Sequence, residues 1–182
     1  MEINEKIALN QLEQQENVKK LPCGLFIHKK YKFIGASPDG VIDEIRIVEI
    51  KCPISGYKIS LEVAVKNRKI TFWTKEFIIN KKHPWYLQVQ GQLNITGCKD
   101  CLFGVWTGAN NRIKTETIIC DQNLWNNIMV PKLKCFYIEC MLPEICFVRE
   151  VALQNANKEN HKRKEKTPDK TNVKSSGKYN KS

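Results

Sequence analysis

The chain has 182 residues, of which 42 % are hydrophobic and 27 % are charged, as in an ordinary soluble folded protein. This length allows one globular domain with little room for a second, and no apolar run reaches the ~18 residues of a membrane-spanning helix. The formal net charge of +11 favours a polyanionic partner, which can be DNA, RNA or an anionic membrane surface.

The basic residues are unevenly distributed along the chain. Residues 151–182 contain 9 of the 30 Lys and Arg residues but 3 of the 19 Asp and Glu residues. Few apolar side chains occur in this segment, which predicts a disordered basic tail after a folded domain at residues 1–150. Because the predicted domain is only mildly basic, its charge alone is a weak argument for a DNA site.

The N-terminus is polar and lacks the apolar core of a secretory signal. We therefore expect an intracellular protein, nuclear if the source is eukaryotic. In such a reducing compartment the 8 cysteines are expected to be free thiols.

The first half of the chain predicts a helix followed by strands. Residues 3–17 combine good helix formers with apolar positions roughly on one face, and residues 23–28 look like a strand. The turn-forming residues Ser37–Gly40 then lead to alternating β-branched residues at 40–43 and 45–51, which predict two strands.

The second half continues this alternation of helices and strands. In chain order the predicted elements are a helix at 58–67, one or two strands at 69–79, a helix at 84–95, strands at 101–107 and 112–120 and a helix at 122–140. Gly97 suits the end of the third helix, and Pro131 is expected to kink or restart the last. The whole order predicts an α/β sandwich, with a central mixed β-sheet flanked by helices.

Three residues of this predicted sheet have the chemistry of a phosphodiesterase. Asp39 enters the first strand of the hairpin, and Glu49 and Lys51 lie on the return strand, where alternation directs both side chains to one face. Carboxylates bind Mg²⁺, which activates a water and stabilises the departing oxygen, and a lysine beside the water can orient it. Without further evidence, Asp39 could serve a tight turn, and Glu49 and Lys51 could form a simple charge pair.

Three sequence blocks around these residues carry a family resemblance. GASPDG (35–40), VEIKCP (48–53) and YLQVQGQL (86–93) together resemble the YqaJ-type viral recombinase family, which is phage lambda exonuclease-like and belongs to the PD-(D/E)xK nuclease superfamily. The resemblance runs from about residue 1 to residue 140. It implies a restriction-endonuclease-like fold and a Mg²⁺-dependent DNA exonuclease or recombination nuclease that uses two metal ions, with Mn²⁺ as a possible substitute.

The resemblance also implies roles for individual residues. Glu5, Asp39, Glu49 and the carbonyl of Ile50 would hold the metals, and Lys51 would serve the attacking water. Gln88 falls where the family has a glutamine near the catalytic site, and Gln92 lies one helical turn further on the same face. Taken without the family, Glu5 would be a solvated glutamate, and Gln88 and Gln92 would be surface amides.

The sequence departs from the family pattern at its start. Family members have a further segment before the Glu5 helix that contributes an Arg near the terminal phosphate, whereas here Glu5 follows Met1 by four residues. The expected partner is DNA, double-stranded with a free end, and no membrane; a homo-oligomer is possible. The alternatives are a truncated, catalytically impaired DNA-binding relative and a site-specific endonuclease on the same fold.

Overall fold

The fold is described from a computed structural model, which covers residues 2–108 and 110–165. The helices are α1 (Glu2–Glu16), α2 (Leu61–Lys66), α3 (Pro84–Thr96), α4 (Gln122–Leu124), α5 (Val130–Phe136) and α6 (Leu142–Glu165). The strands are β1 (Phe26–Ile27), β2 (Gly35–Ala36), β3 (Gly40–Ile42), β4 (Arg46–Lys51), β5 (Asp100–Val105) and β6 (Lys114–Ile119). A 3₁₀ turn spans Ile54–Gly56, and π-helical turns span Trp125–Met129 and Tyr137–Met141.

Four strands form the central sheet in the order β3-β4-β5-β6. Strand β4 pairs antiparallel with β3 and parallel with β5, and β5 pairs antiparallel with β6, so the sheet is mixed. The parallel pair β4–β5 needs a crossover connection, which is formed by residues 52–99 and contains α2 and α3. The short strands β1 and β2 form a separate antiparallel pair.

Helices cover both faces of this sheet. On one face Ala8, Leu9 and Leu12 of α1 pack against a cluster that includes Val48 and Ile50. On the other face α2 and α3 pack against a larger cluster that includes Ile47, Phe72, Phe103, Val89 and Leu93. Odd and even residues of β4 therefore face different helices, which confirms the predicted α/β sandwich and its alternation along the strand.

Several predicted elements are confirmed by the structure. The first helix, the hairpin strands and the strands β5 and β6 lie within a few residues of their predicted bounds. Helix α3 begins at Pro84 and ends before Gly97, whose φ of 81° is the left-handed conformation that glycine adopts without strain. Pro131 is the second residue of α5, so the α-helix restarts at this proline directly after the π-helical turn Trp125–Met129.

Other predicted elements were wrong. Residues 69–79 form loops with an isolated bridge between Trp73 and Ile79, because their aromatic side chains fill the core from irregular backbone. The strand predicted at 23–28 is reduced to Phe26–Ile27. Where a disordered tail was predicted from residue 151, residues 151–165 continue helix α6, while residues 166–182 lie outside the described part of the chain.

The chain divides into two compact units. The first, residues 1–133, contains the sheet, and the second, residues 134–182, contains α6 among its described residues. Among the described residues, none of the helices combines the length and apolar character that crossing a bilayer requires.

Candidate active site

Asp39 lies at the edge of the sheet, directly before β3. Its backbone N–H donates to the Val48 carbonyl at 3.0 Å, and its Oδ2 accepts a hydrogen bond from the Ile50 N–H at 2.7 Å. The side chain thus replaces a strand residue as the partner of β4. Two hydrogen bonds to β4 fix the position of the Asp39 carboxylate relative to Glu49.

Glu49 is buried in the middle of three donors. The side chain is 3 % exposed, and its Oε1 accepts from Lys51 Nζ at 2.5 Å and from Gln88 Nε2 at 2.8 Å. Its Oε2 accepts from Gln92 Nε2 at 2.7 Å. One cation and two amides therefore hold this carboxylate, which offsets the cost of removing it from water.

The two glutamines come from one face of α3. They are four residues apart, so they lie one helical turn from each other and reach the two oxygens of the same carboxylate. Gln88 is exposed, whereas Gln92 is buried. Both amides, which the sequence left open as surface groups, thus contact the site.

The carbonyl of Ile50 lies at the same edge. Val48 is the last residue of β4 that pairs with β3, and its partner there is Gly40. Two residues further along β4, the Ile50 N–H points to the β3 side of the strand, where it donates to Asp39. Because the N–H and C=O of one strand residue point to the same side, the Ile50 carbonyl lies beyond the end of β3. It is therefore placed beside Asp39, as a backbone ligand to a metal would need to be.

Glu5 approaches from the other face of the sheet, on α1, which packs against the Val48 and Ile50 side. Its charge acts on Asp39, because it contributes to the raised pKa of that carboxyl. Among the described residues, however, no three His, Cys, Asp or Glu side chains gather closely enough to hold a metal ion. The donors Asp39, Glu49 and the Ile50 carbonyl fit a divalent cation chemically, and the role of Glu5 stays a prediction.

Electrostatics at the site favour a cation. Burial, followed by the charge of Glu49, raises the pKa of Asp39 from its ordinary value of 3.8 to about 6. Burial likewise raises the pKa of the neighbouring Cys52 thiol to about 11, with Glu5 and Asp39 adding to the shift. Cys52 is therefore a protonated packing group at neutral pH, and the negative charge of the site belongs to carboxylates.

The raised pKa of Asp39 predicts a pH dependence of stability. The pKa of Asp39 is about 6 in the folded protein and 3.8 in its ordinary state. The contribution of protonated Asp39 to the stability of the fold is therefore fully present below about pH 4 and is lost as pH rises through 6. In metal-free buffer we expect the stability of the wild type relative to Asp39→Asn to fall between pH 4 and pH 7. Since the carboxyl is partly exposed, solvent screening limits the change to about 1 kcal/mol.

Urea unfolding at a series of pH values with a chelator present measures this difference. Asn can still accept the Ile50 hydrogen bond, so the comparison isolates the titration of Asp39. Parallel pH profiles of the two proteins would contradict the prediction.

The chain is similar to known proteins in sequence and in fold. Residues 2–99 match the family model of the YqaJ-like viral recombinase domain. The alkaline exonuclease LHK-Exo from Laribacter hongkongensis has a similar structure, with a TM-score of 0.60, 23 % identity and coverage of 82 % of this chain and 71 % of that one. Its complex with dAMP matches equally, with 70 % of that chain covered. No curated protein matches the chain significantly by sequence.

These structural neighbours have the restriction-endonuclease-like fold, which the mixed four-stranded sheet of this chain shares. The fold and the family predicted from the three sequence blocks are both confirmed. The match to the family model spans Asp39, Glu49, Lys51, Gln88 and Gln92, so the whole set of contacts around the Glu49 carboxylate lies inside it.

Proposed function

Because the chain belongs to the YqaJ-like viral recombinase domain family and is thereby a nuclease, a hydrolase acting on DNA, we propose that it is a Mg²⁺-dependent DNA exonuclease of the recombination type. The observation that carries this proposal is the Glu49 carboxylate, held by Lys51, Gln88 and Gln92 opposite Asp39. A buried carboxylate beside a lysine suits phosphodiester hydrolysis, because the carboxylate can hold a metal ion and the lysine can stabilise negative charge on the phosphate.

Asp39, Glu49 and the Ile50 carbonyl would hold the metal, with Glu5 as a further candidate ligand. When bound, Mg²⁺ would activate a water and neutralise charge on the scissile phosphate, and the family resemblance favours two ions. The protein's own residues supply the rest. Lys51, 20 % exposed at its side chain, can reach a phosphate oxygen or orient the attacking water while its ammonium remains paired with Glu49.

The substrate we propose is linear double-stranded DNA with a free end. The complex of the related alkaline exonuclease with dAMP supports a nucleotide product. Contacts to phosphates would dominate the affinity, so binding should weaken with salt and depend little on sequence.

The experiment compares linear and closed circular duplex DNA of one sequence. We expect the purified chain to degrade the linear DNA in Mg²⁺ or Mn²⁺ and to leave it intact in a chelator, with the circular DNA uncut. Strands labelled at the 5′ or the 3′ end then give the polarity. Cleavage of the circle would instead indicate an endonuclease on the same fold.

The alternative is a DNA-binding relative without catalysis, and the experiment must distinguish it from an active nuclease. Thermal unfolding during a Mn²⁺ titration supplies the second readout, because binding to the folded state raises the midpoint. A chain that binds DNA, shows no stabilisation by Mn²⁺ and cuts no substrate would contradict the proposed activity.

A further inference from the structure

Helix α1 carries Glu5 on the face that packs against the sheet. Counted from Glu5, the next residues at the spacing of one helix face are all buried: Ala8, Leu9 and Leu12. Burial raises the pKa of Asp39, and the charge of Glu5 adds to that shift, so the two carboxyl groups are near each other. The distance between them depends on how α1 is placed on the sheet.

The apolar contact of α1 with the sheet does not by itself fix this placement. Hydrophobic contact has no preferred direction, so a helix held by it alone can shift along its axis or rotate. Ile3 and Ile7 are exposed and add nothing to the contact. Within the described part of the chain, the Glu5 side chain makes no hydrogen bond or ion pair. Other residues of α1 must therefore set the position of Glu5.

Gln15 forms a closed pair of hydrogen bonds with the backbone of Ile113. Its Nε2 donates to the Ile113 carbonyl at 2.9 Å, and its Oε1 accepts from the Ile113 N–H at 2.9 Å. Ile113 directly precedes β6, and its side chain is buried in the same cluster as Leu12. Because hydrogen bonds are directional, two of them to one buried residue fix the helix along its axis and about it.

Gln11, one helical turn earlier, makes a second pair of hydrogen bonds. Its Oε1 accepts from the indole Nε1 of Trp106 at 2.9 Å, and its Nε2 donates to the Asn111 carbonyl at 2.8 Å. Trp106 directly follows β5, and its backbone N–H donates to the Lys51 carbonyl at 2.9 Å. Through Trp106, helix α1 is therefore joined to the end of the strand that carries the catalytic residues.

The chain segment that receives these hydrogen bonds is itself held in place. It is the β5–β6 connection (residues 106–113), of which all but residue 109 is described. Asn111 Nδ2 donates to Thr107 Oγ1 at 2.9 Å and to the Ile59 carbonyl at 3.1 Å, and the Lys58 N–H donates to the Thr107 carbonyl at 2.7 Å. The two glutamines thus bind α1 to a fixed support.

We propose that Gln11 and Gln15 are positioning residues for Glu5: they fix α1 on the β5–β6 connection so that the Glu5 carboxylate can complete the proposed metal site. The proposal rests on the proposed nuclease function, in which Glu5 joins Asp39 and Glu49 as a metal ligand. Along the helix axis, Gln11 lies about 9 Å and Gln15 about 15 Å from Glu5. At these distances both amides act through the helix and not by contact with the metal.

Mn²⁺ affinity and thermal stability, measured on the same variants, distinguish positioning from simple stabilisation. Gln15→Leu removes both hydrogen bonds to Ile113 while nearly keeping the size of the side chain. We expect it to weaken Mn²⁺ binding about tenfold in isothermal titration calorimetry, as the loss of an outer group that orients a metal ligand does. Gln11→Leu should act in the same direction.

Leu12→Ala is the matched control on α1, because it removes a buried apolar contact and leaves both glutamines in place. It should lower the melting temperature at least as much as Gln15→Leu and bind Mn²⁺ like the wild type. Calorimetry is run at a temperature at which thermal unfolding shows every variant to be folded. Equal losses of Mn²⁺ affinity in the two variants would mean that affinity follows stability, which overturns the proposal.

A double-mutant cycle with Glu5→Gln tests whether the effect of Gln15 passes through Glu5. In the Glu5→Gln background, Gln15→Leu should cause little further loss of Mn²⁺ affinity. The two positions are about 15 Å apart along the helix, a separation at which independent substitutions normally add. Additive losses of affinity would therefore overturn the proposal.

A distance measurement without metal separates this proposal from the proposed function. Burial, and after it the charge of Glu5, raise the pKa of the native Cys52, so Cys52 lies near Glu5. Glu5→Cys is cross-linked to Cys52 with bismaleimides of increasing length, and mass spectrometry identifies the linked peptides. Adding Gln15→Leu should make a longer reagent necessary, whereas adding Leu12→Ala should not.

The cross-linking result decides the proposal even if no DNA is cut. A chain that binds no Mn²⁺ would contradict the proposed function, and cross-linking alone then shows whether the glutamines place Glu5. Unchanged cross-linking in Gln15→Leu overturns the proposal even if the nuclease is active. Altered cross-linking with unchanged Mn²⁺ affinity also overturns it, because the placement of α1 would then not serve the metal site.

Discussion

Replacing Glu49 by Gln is expected to lower the single-turnover rate of DNA cleavage by about 100-fold or more, with little loss of stability. The substitution removes a charge that the proposed divalent cation would need while keeping the shape of the side chain. The protein can also adapt to it, because Gln92 has an unused carbonyl oxygen. If the Gln92 amide turns over, that oxygen accepts from the amide nitrogen that the Glu49→Gln substitution introduces.

Lys51→Met should cause a loss of similar size for a different reason. Its ammonium lies 2.5 Å from Glu49 Oε1 and is the cation that pairs directly with this carboxylate. In the proposed mechanism, the attacking water and the phosphate would then lack this positive partner. The two variants should differ in Mg²⁺ dependence, since Glu49→Gln removes a proposed metal ligand and Lys51→Met leaves the proposed ligands in place.

The chain offers a matched control pair for these two variants. Lys114 and Glu116 on β6 are also two residues apart, with Lys114 Nζ 3.3 Å from Glu116 Oε1, and Glu116 accepts a hydrogen bond from Trp73 Nε1 at 3.1 Å. Lys114→Met and Glu116→Gln should therefore keep the rate of the wild type. Equal rates for Glu49→Gln and Glu116→Gln would exclude Glu49 from the catalytic site.

The sequence predicted the site on the sheet because its signals are local. Alternation along β4 directs Glu49 and Lys51 to one face, and the turn residues around Asp39 place it opposite β4. The family resemblance added Gln88, which contacts Glu49 as expected. The sequence identified Gln92 only as a neighbour of Gln88 on the same helix face. Its hydrogen bond with Glu49 joins two residues that are 43 positions apart, so no local pattern indicates it.

The sequence could not predict the parts that depend on tertiary packing. Residues 69–79 have the composition of a strand, yet Phe72 and Trp73 are buried from loops, since apolar aromatic residues suit a core whatever their backbone. Polar composition at 151–165 suggested disorder, whereas α6 extends through it.

Gln92→Leu is expected to lower the free energy of unfolding by about 2 kcal/mol at pH 8 in metal-free buffer. Gln92 donates the hydrogen bond to Oε2 of Glu49. The leucine side chain cannot donate, and Glu49 is buried, so water has little access to replace the lost hydrogen bond. Gln88→Leu is the matched control on the same helix face. Because Gln88 is exposed and Lys51 still donates to Oε1, its loss should cost less than about 0.5 kcal/mol.

The two variants also distinguish a structural role for Gln92 from a positioning role. If Gln92 orients Glu49 toward a metal, Gln92→Leu should weaken Mn²⁺ stabilisation of the folded protein, and Gln92→Asn should not restore it because its shorter side chain ends farther from Oε2. A Glu49→Gln, Gln92→Leu double variant should then show little further loss of cleavage, since both changes act on one carboxylate. Additive losses of activity would mean that Gln92 acts on the substrate independently of Glu49.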